Sequence, residues 1–154
     1  MRRSDRAMSE IGDIIALINK CDTLRLGFAD EGEAYIVPLS FGFEEHDGEF
    51  VFYVHGAKDG RRHSLAHSNA RVCVELDLCL GYAELSKGAL TADYKSFIGY
   101  GEISTVTGDE AVHGLELICR HCGFDTMPCA RKVVDATCVE KIVVREYTAK
   151  QRFA

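Results

Sequence analysis

The fold of this chain is decided by the stretch Glu33–Phe43, which reads EAYIVPLSFGF. Its large apolar side chains fall on alternate positions, which is the two-residue period of a β-strand with one buried face. One face carries large side chains at Tyr35, Val37, Leu39, Phe41 and Phe43. The other face carries Ile36, Pro38, Ser40 and Gly42. We therefore predict one long strand with a bulky face and an unusually small face.

Shorter alternating segments flank this strand on both sides. On the N-terminal side, alternation from Thr23 to Phe28 leads into Asp30-Glu31-Gly32, a composition typical of a hairpin turn. On the C-terminal side, His46-Asp47-Gly48 leads into the alternating segment Phe50–His55. The three segments in series predict an antiparallel meander.

The rest of the chain has simpler patterns. Helices are predicted over residues 10–20, 60–68 and Glu110–Cys122. Strands are predicted after Asn69 through Leu78, over Phe97–Val106 and over Val139–Tyr147. The segment Gly123–Thr137 is predicted to be irregular. About six strands without regular strand-helix-strand alternation favour a mainly β fold, an antiparallel sheet closed into a small barrel with short helices.

Length and charge restrict the possible functions. With 154 residues, the sequence predicts a single domain over residues 1–154. The net charge of −6 repels a phosphate backbone and argues against nucleic acid as a partner. No apolar run approaches the roughly 18 residues of a membrane helix. Seven cysteines without an apolar leader favour a reduced, cytoplasmic location rather than a disulfide framework.

A candidate anion site lies in the segment His55–Arg62, which reads HGAKDGRR. The segment leaves a strand, passes Gly56 and Gly60, and enters a predicted helix. It carries three cationic side chains, Lys58, Arg61 and Arg62. Amide groups at the start of a helix and guanidinium groups both attract phosphate. The alternative is a solvated basic turn, and the Gly-Lys-Ser/Thr ending of a Walker loop is absent.

Three further features suggest weaker hypotheses. His55 could border a pocket at the barrel rim as a proton donor or hydrogen-bond partner, or it could be structural. Gly99 and Gly101 share a strand face, which would admit a planar ring or mark a bulge. Cys119 and Cys122 form a single Cys-x-x-Cys pair, with Cys129 nearby, but no second ligand pair accompanies them. We therefore predict no metal site, and we interpret four other cysteines as small apolar fillers, Cys21, Cys73, Cys79 and Cys138.

Several of these segments together resemble a known family. They are YIVPLSFGF at 35–43, FYVHGAKDGRR at 52–62, NARVC at 69–73 and YKSFIGYG at 94–101. In this order they resemble the flavin-binding split-barrel proteins related to pyridoxamine 5′-phosphate oxidase, specifically the nitroimidazole-resistance branch. Two departures are Arg62, where that branch usually has lysine, and Ala149, in place of the glycine of a terminal Thr-Gly-Lys.

The resemblance implies a six-stranded antiparallel split β-barrel of the FMN-binding type. It implies a homodimer with the flavin at the subunit interface. The strand carrying Leu39, Ser40 and Phe41 would lie along the isoalloxazine ring. His55 and Gly56 would flank the flavin, and Arg61 and Arg62 would contact its phosphate, in the loop that also holds Lys58 and Gly60. Residues around Phe97, Ile98 and Tyr100 would come from the partner subunit.

The function expected from this resemblance is an FMN-dependent oxidoreductase that reduces a small nitroaromatic or related electrophile, with FAD as the other cofactor considered. The flavin would carry the electrons and His55 would donate a proton or orient the substrate. One alternative is a flavin- or haem-binding protein without catalysis, with His55, His113 or His121 available to haem. Another is a pyridoxamine-phosphate-type oxidase, although the sequence shows no second cationic cluster inside the barrel for the vitamin phosphate.

Overall fold

The computed structural model of the protein describes residues 3–86, 88–127 and 130–153, which form eight strands and four α-helices. The strands are β1 (Ala7–Met8), β2 (Leu24–Asp30), β3 (Glu33–Leu39), β4 (Phe41–His46), β5 (Glu49–Gly56), β6 (Arg71–Ser86), β7 (Ala89–Val106) and β8 (Cys138–Gln151). The helices are α1 (Ile11–Ile18), α2 (Arg61–Ser68), α3 (Gly108–His121) and α4 (Arg131–Ala136), with a 3-10 turn at Ser4–Arg6.

The strands form one antiparallel sheet in the order β3-β2-β6-β7-β8-β5-β4, and β1 pairs with β8. The strands at the two ends of this order, β3 and β4, are consecutive in the chain and are separated only by Ser40. The chain itself therefore joins the two ends of the sheet. Counting β3 and β4 as one strand and setting β1 aside gives the six strands of the expected split barrel.

Both antiparallel hairpins of the predicted meander are present, but Glu33–Phe43 is not one strand paired along its whole length. Its first part pairs with β2 and its second part with β5. The break at Ser40 lets the chain change partners while its large side chains stay against one core. Phe41 is in that core, and the other four large residues of this face pack against it: Tyr35, Val37, Leu39 and Phe43.

Two apolar cores stabilise the sheet. The first fills the barrel interior and includes Phe50, Phe52 and Phe97, with α1 contributing Ile14, Leu17 and Ile18. The second lies on the outer side of β5, where Val51 and Tyr53 pack against Leu115 and Ile118 of α3. The alternation along β5 explains both cores, because even-numbered residues face inward and odd-numbered residues face α3.

The predicted helices near residues 10–20, 60–68 and 110–122 are present as α1, α2 and α3. The segment Gly123–Thr137 was expected to be irregular, but it contains α4. That expectation failed because α4 is only six residues long and packs one side chain, Val134, against the second core. So short a helix shows no apolar period in its sequence. No helix among the described residues is long and apolar enough to span a membrane.

Candidate functional site

The segment His55–Arg62 forms the end of β5, a loop, and the start of α2. Gly60 precedes the helix with φ of 92°, a left-handed conformation that glycine adopts without strain. In the β4–β5 ladder Phe41 faces Val54, so Ser40 and His55 occupy the next position along the same pair of chains. Both are exposed. Closure of the barrel thus places the Leu39–Phe41 stretch beside His55 and Gly56.

The three cations of this segment point in different directions. Arg61 donates to the carboxylate of Asp30 at 2.7 and 3.0 Å, and its guanidinium lies 4.6 Å from the centre of the Tyr35 ring. Lys58 donates to the backbone carbonyl of Asp135 in α4. Arg62 turns inward instead. The loop therefore does not hold three converging charges.

Arg62 forms a buried ion pair with Glu140 of β8. The Arg62 side chain is 11% exposed and the Glu140 side chain is fully buried. Gly56 lies against this guanidinium, and a Cβ at position 56 would come within 3.1 Å of the Arg62 Cζ. A side chain at position 56 would therefore displace the guanidinium of Arg62 from its present position.

Glu140 is a residue that the sequence analysis missed. It occupies a core-facing position of β8, in line with Cys138, Ile142 and Val144. Among the described residues, it is the one charged residue that is buried. The available signal was a carboxylate at an inward position of an otherwise apolar alternating strand. Charged residues are almost never fully buried unless they are paired, so this position predicted a cationic partner.

His55 is exposed, but its ring is partly desolvated. This desolvation, followed by the charge of Arg62, lowers the pKa of His55 below its ordinary value of 6.5. The imidazole is therefore neutral at pH 7, with one nitrogen able to donate and the other able to accept a hydrogen bond. No protein group among the described residues is hydrogen-bonded to this ring, which leaves both nitrogens free for a ligand.

The three β7 residues of the predicted site differ in where they lie. Phe97 is fully buried in the barrel core, where its ring contacts those of Phe50, Phe52 and Tyr147. The Phe97 side chain therefore packs in the core of its own chain, whereas the resemblance had assigned it to the site of the partner subunit. Ile98 and Tyr100 lie on the outer face of the sheet and are 41% and 49% exposed.

Gly99 and Gly101 do not leave room for a planar ring. A Cβ at Gly99 would come within 3.1 Å of Phe97 and against Val144, and one at Gly101 would lie 2.6 Å from the Val143 carbonyl. The β7–β8 register shifts between Tyr100 and Gly101, so the alternative of a bulge is confirmed. These glycines allow β8 to pack closely against β7.

An open cavity of about 600 Å³ lies on the outer face of β2, β3, β6 and β7. Small residues form its floor, including Gly27, Ala29 and Ala34. Ile36 and Tyr100 line it as well, and Ile36 is 62% exposed. This face is apolar and concave, and the described chain leaves it open.

The cysteine pair of the sequence analysis lies at the end of α3. Cys119 is half-buried and Cys122 is exposed. Cys129 lies outside the described residues. Among the described residues, neither Cys119 nor Cys122 belongs to a group of three metal-ligand side chains.

Known proteins share this fold over nearly the whole chain. A protein of Bacteroides thetaiotaomicron VPI-5482, provisionally described as a 5-nitroimidazole antibiotic resistance protein, is 25% identical with a TM-score of 0.80, covering 94% of this chain and 85% of its own. A flavocytochrome of Azotobacter vinelandii is 18% identical with a TM-score of 0.72, covering 100% of this chain and 72% of its own. A FAD- and haem-binding protein of Mycobacterium smegmatis is 14% identical with a TM-score of 0.74, covering 97% and 74%.

No curated protein sequence matches the chain. The family model described as pyridoxamine 5′-phosphate oxidase matches residues 10–151, which includes β2 to β8 and the complete β5–α2 loop. The closed sheet, its order and this match agree, and the chain belongs to the pyridoxamine 5′-phosphate oxidase family.

Proposed function

We propose that this protein binds flavin mononucleotide and uses it to reduce a small nitroaromatic compound or a related electrophile. The observation that carries the proposal is the likeness to the Bacteroides protein provisionally described as a 5-nitroimidazole resistance protein, which extends over 94% of this chain. When bound, the flavin supplies the electron transfer, and the protein supplies position and electrostatics.

The β5–α2 loop is suited to the flavin phosphate. Gly56 and Gly60 carry no side chains, so an anion can approach the backbone amides at the start of α2. Arg61 is exposed and held by Asp30, a partner that it can exchange for phosphate. Arg62 has five N–H donors, and Glu140 fixes its orientation, which leaves donors for a second anion. Lys58 adds a third charge on the same loop.

The ring system would lie along Leu39, Ser40 and Phe41, next to His55. Phe41 is fully buried and anchors this stretch in the core, whereas Ser40 is exposed. A flat ligand can therefore approach the backbone at Ser40 without displacing a large side chain. The neutral His55 ring would donate or accept a hydrogen bond at the rim of the bound ring and orient the substrate.

The protein would function as a homodimer, with the flavin at the interface. The outer face of β2, β3, β6 and β7 supports this proposal, because its cavity is apolar and its Ile36, Ile98 and Tyr100 are exposed. An apolar face of this kind is typical of a protein contact. Ile98 and Tyr100 would then contribute to the site of the partner subunit. A cytoplasmic location belongs to the same proposal.

Cofactor reconstitution and turnover test the function. The purified protein should take up one FMN per chain more tightly than FAD, and the flavoprotein should reduce a 5-nitroimidazole anaerobically when a reductant is supplied. His55→Ala should keep FMN bound and lose turnover by about 10²–10⁴-fold, the range for a lost acid-base group. Bound FMN without any nitro reduction would overturn the catalytic proposal. Failure to bind either flavin would overturn the proposal that the cofactor is a flavin.

A second candidate is a flavin- or haem-binding carrier, which the names of the Azotobacter and Mycobacterium proteins favour. Two of the histidines considered as haem ligands are already engaged. The Nε2 of His113 lies 3.0 Å from Glu44, and the Nε2 of His121 lies 2.8 Å from the Cys21 carbonyl. His55 is then the ligand to test. Haem absorption that is retained in His55→Ala would contradict an axial role for that residue.

A further inference from the structure

A buried cluster of three ligand-type side chains lies at the end of the barrel, below the β5–α2 loop. His63 comes from α2, and Cys138 and Glu140 come from one face of β8. One nitrogen, one sulfur and one oxygen of these residues all lie within 4.8 Å of one another. Cys138 and Glu140 are buried, and His63 is half-buried.

Two atoms of this cluster lack the partner that buried polar atoms normally have. His63 Nδ1 and Glu140 Oε1 are buried and make no hydrogen bond with any described group. The other oxygen of Glu140 binds Arg62, so the carboxylate is only half satisfied. Buried polar atoms in native proteins are nearly always paired, so these two orphaned atoms call for an additional ligand.

We infer that His63, Cys138 and Glu140 form a binding site for a divalent transition metal of the zinc type. Nitrogen, thiolate and carboxylate are the ligands that Zn²⁺ takes in proteins, at about 2.0–2.3 Å. Ligand atoms around a tetrahedral zinc are separated by roughly 3.5 Å. The atoms of this cluster therefore need to move by about an ångström or less to close around the ion.

The cluster also has an entrance and an open fourth position. His63 and Cys138 line a cavity of about 440 Å³ between α3, α4 and the ends of β7 and β8. Thr105, Thr107 and Asp109 line the same cavity. An ion can reach the three ligands from this side, and water or a small ligand can complete its coordination.

The neighbouring charges permit this site. A thiolate at Cys138 and the carboxylate of Glu140 bring two negative charges against the two positive charges of the ion. With the charge of Arg62 added, the site carries one net positive charge. It lies next to the β5–α2 loop, whose backbone amides and Arg61 also favour an anion. The metal would also bind α2 to β8, since His63 belongs to the helix and the other two ligands to the strand.

Metal titration of the flavin-free protein tests the site independently of the proposed function. The protein is stripped with a chelator and titrated with Zn²⁺ in competition with a chromophoric chelator. We expect one tight site per chain, weakened at least about tenfold in His63→Ala. Co²⁺ should show thiolate charge-transfer absorption in the wild type and not in Cys138→Ser. Cys21→Ala, which removes another buried thiol, is the matched control and should bind as the wild type does.

The His63→Ala variant decides the outcome even if Cys138→Ser fails to fold, because His63 is half-buried on a surface helix. Zn²⁺ should raise the thermal midpoint of the wild type and not that of His63→Ala. Equal Zn²⁺ affinity in the wild type and His63→Ala would overturn the inference and assign the binding to other thiols. Absence of tight binding by the wild type would overturn it as well.

Discussion

The guanidinium of Arg62 and the carboxylate of Glu140 form an ion pair inside the barrel, between the second residue of α2 and a core-facing position of β8. The pair fixes the start of α2 to the sheet and thereby holds the loop from Gly56 to Arg61. Taking both charges out of water is costly, and their attraction offsets that cost only while both partners are present.

Removing one partner of this pair should destabilise the fold strongly. Glu140→Gln leaves the guanidinium buried without its counter-charge, and we expect the free energy of unfolding to fall by about 3–5 kcal/mol. Arg145 lies on β8 like Glu140, but its ion pair with Glu49 of β5 is exposed. Arg145→Gln breaks that pair and should cost at most about 1 kcal/mol. Urea unfolding of both variants measures the difference, and equal losses would contradict the assigned role. The apolar double variant Arg62→Met/Glu140→Leu should recover part of the stability.

Arg61→Ala should weaken FMN binding by about tenfold or more, because a charge-assisted hydrogen bond to the phosphate is lost. The fold should be retained, since Arg61 is exposed and, among the described residues, its ion pair and its ring contact are with Asp30 and Tyr35 of the β2–β3 hairpin. Fluorescence titration with FMN measures the affinity. Arg145→Ala, at the opposite end of the β5–β8 pair, is the matched control. If neither Arg61→Ala nor Arg62→Ala changes the affinity, the phosphate binds elsewhere.

The lowered pKa of His55 predicts a pH dependence of stability. The unfolded chain, with a pKa near 6.5, takes up a proton at higher pH than the folded chain does. The free energy of unfolding should therefore decrease as the pH falls from about 6.5 to the lowered pKa. At neutral pH, above the unfolded pKa, this stability should be fully present. His55→Gln should remove this part of the slope. Thermal midpoints of both proteins between pH 5 and about 8 provide the comparison, and identical slopes would argue against the shift.

Gly42 should tolerate no side chain, whereas Gly12 should accept one. A Cβ at Gly42 would lie 2.5 Å from the Ile118 nitrogen and 2.7 Å from the Leu117 Cβ, so α3 would have to move away from β4. Gly42→Ala should cost about 1–3 kcal/mol. At Gly12 of α1 nothing lies within 4 Å, and Gly12→Ala should gain about 0.5–1 kcal/mol. Denaturant unfolding of the two variants should give changes of opposite sign, and a stable Gly42→Ala protein would disprove the close packing.

The proposed homodimer should have about twice the mass of the 17.1 kDa chain in light scattering. Ile36→Asp, which places a charge on the exposed outer face, should shift the protein toward monomer and lower its flavin content. Val133→Asp is the control, because Val133 is also exposed and apolar but lies on α4, away from that face. A monomer that holds flavin stoichiometrically would exclude an interface site, and a dimer unaffected by Ile36→Asp would place the contact on another surface.

Much of the local structure could be predicted from the sequence. The alternation through Phe28, Phe43, Phe52 and Val72 indicated strands, because a period of two depends only on the geometry of neighbouring residues. The apolar spacing of α1 and α3 indicated helices for the same reason. The loop with Lys58, Arg61 and Arg62 was also visible, since its glycines and charges are contiguous. These features are encoded within about ten residues each, so no knowledge of distant contacts was needed.

The tertiary structure decided everything that depends on residues far apart in the chain. Alternation could not show that Glu33–Phe43 changes partners at Ser40, because the choice of partner strand is made by β2 and β5 and by a shared core. The same holds for Arg62, whose charge was read from the sequence but whose direction is set by Glu140 on the last strand. His63 and Cys138 meet only because α2 packs over the end of β8. The sequence by itself determined which segments are strands and where the charged loop lies. Only the closed barrel, which brings distant segments into contact, decided that Arg62 is buried against Glu140 while Arg61 stays exposed beside Asp30.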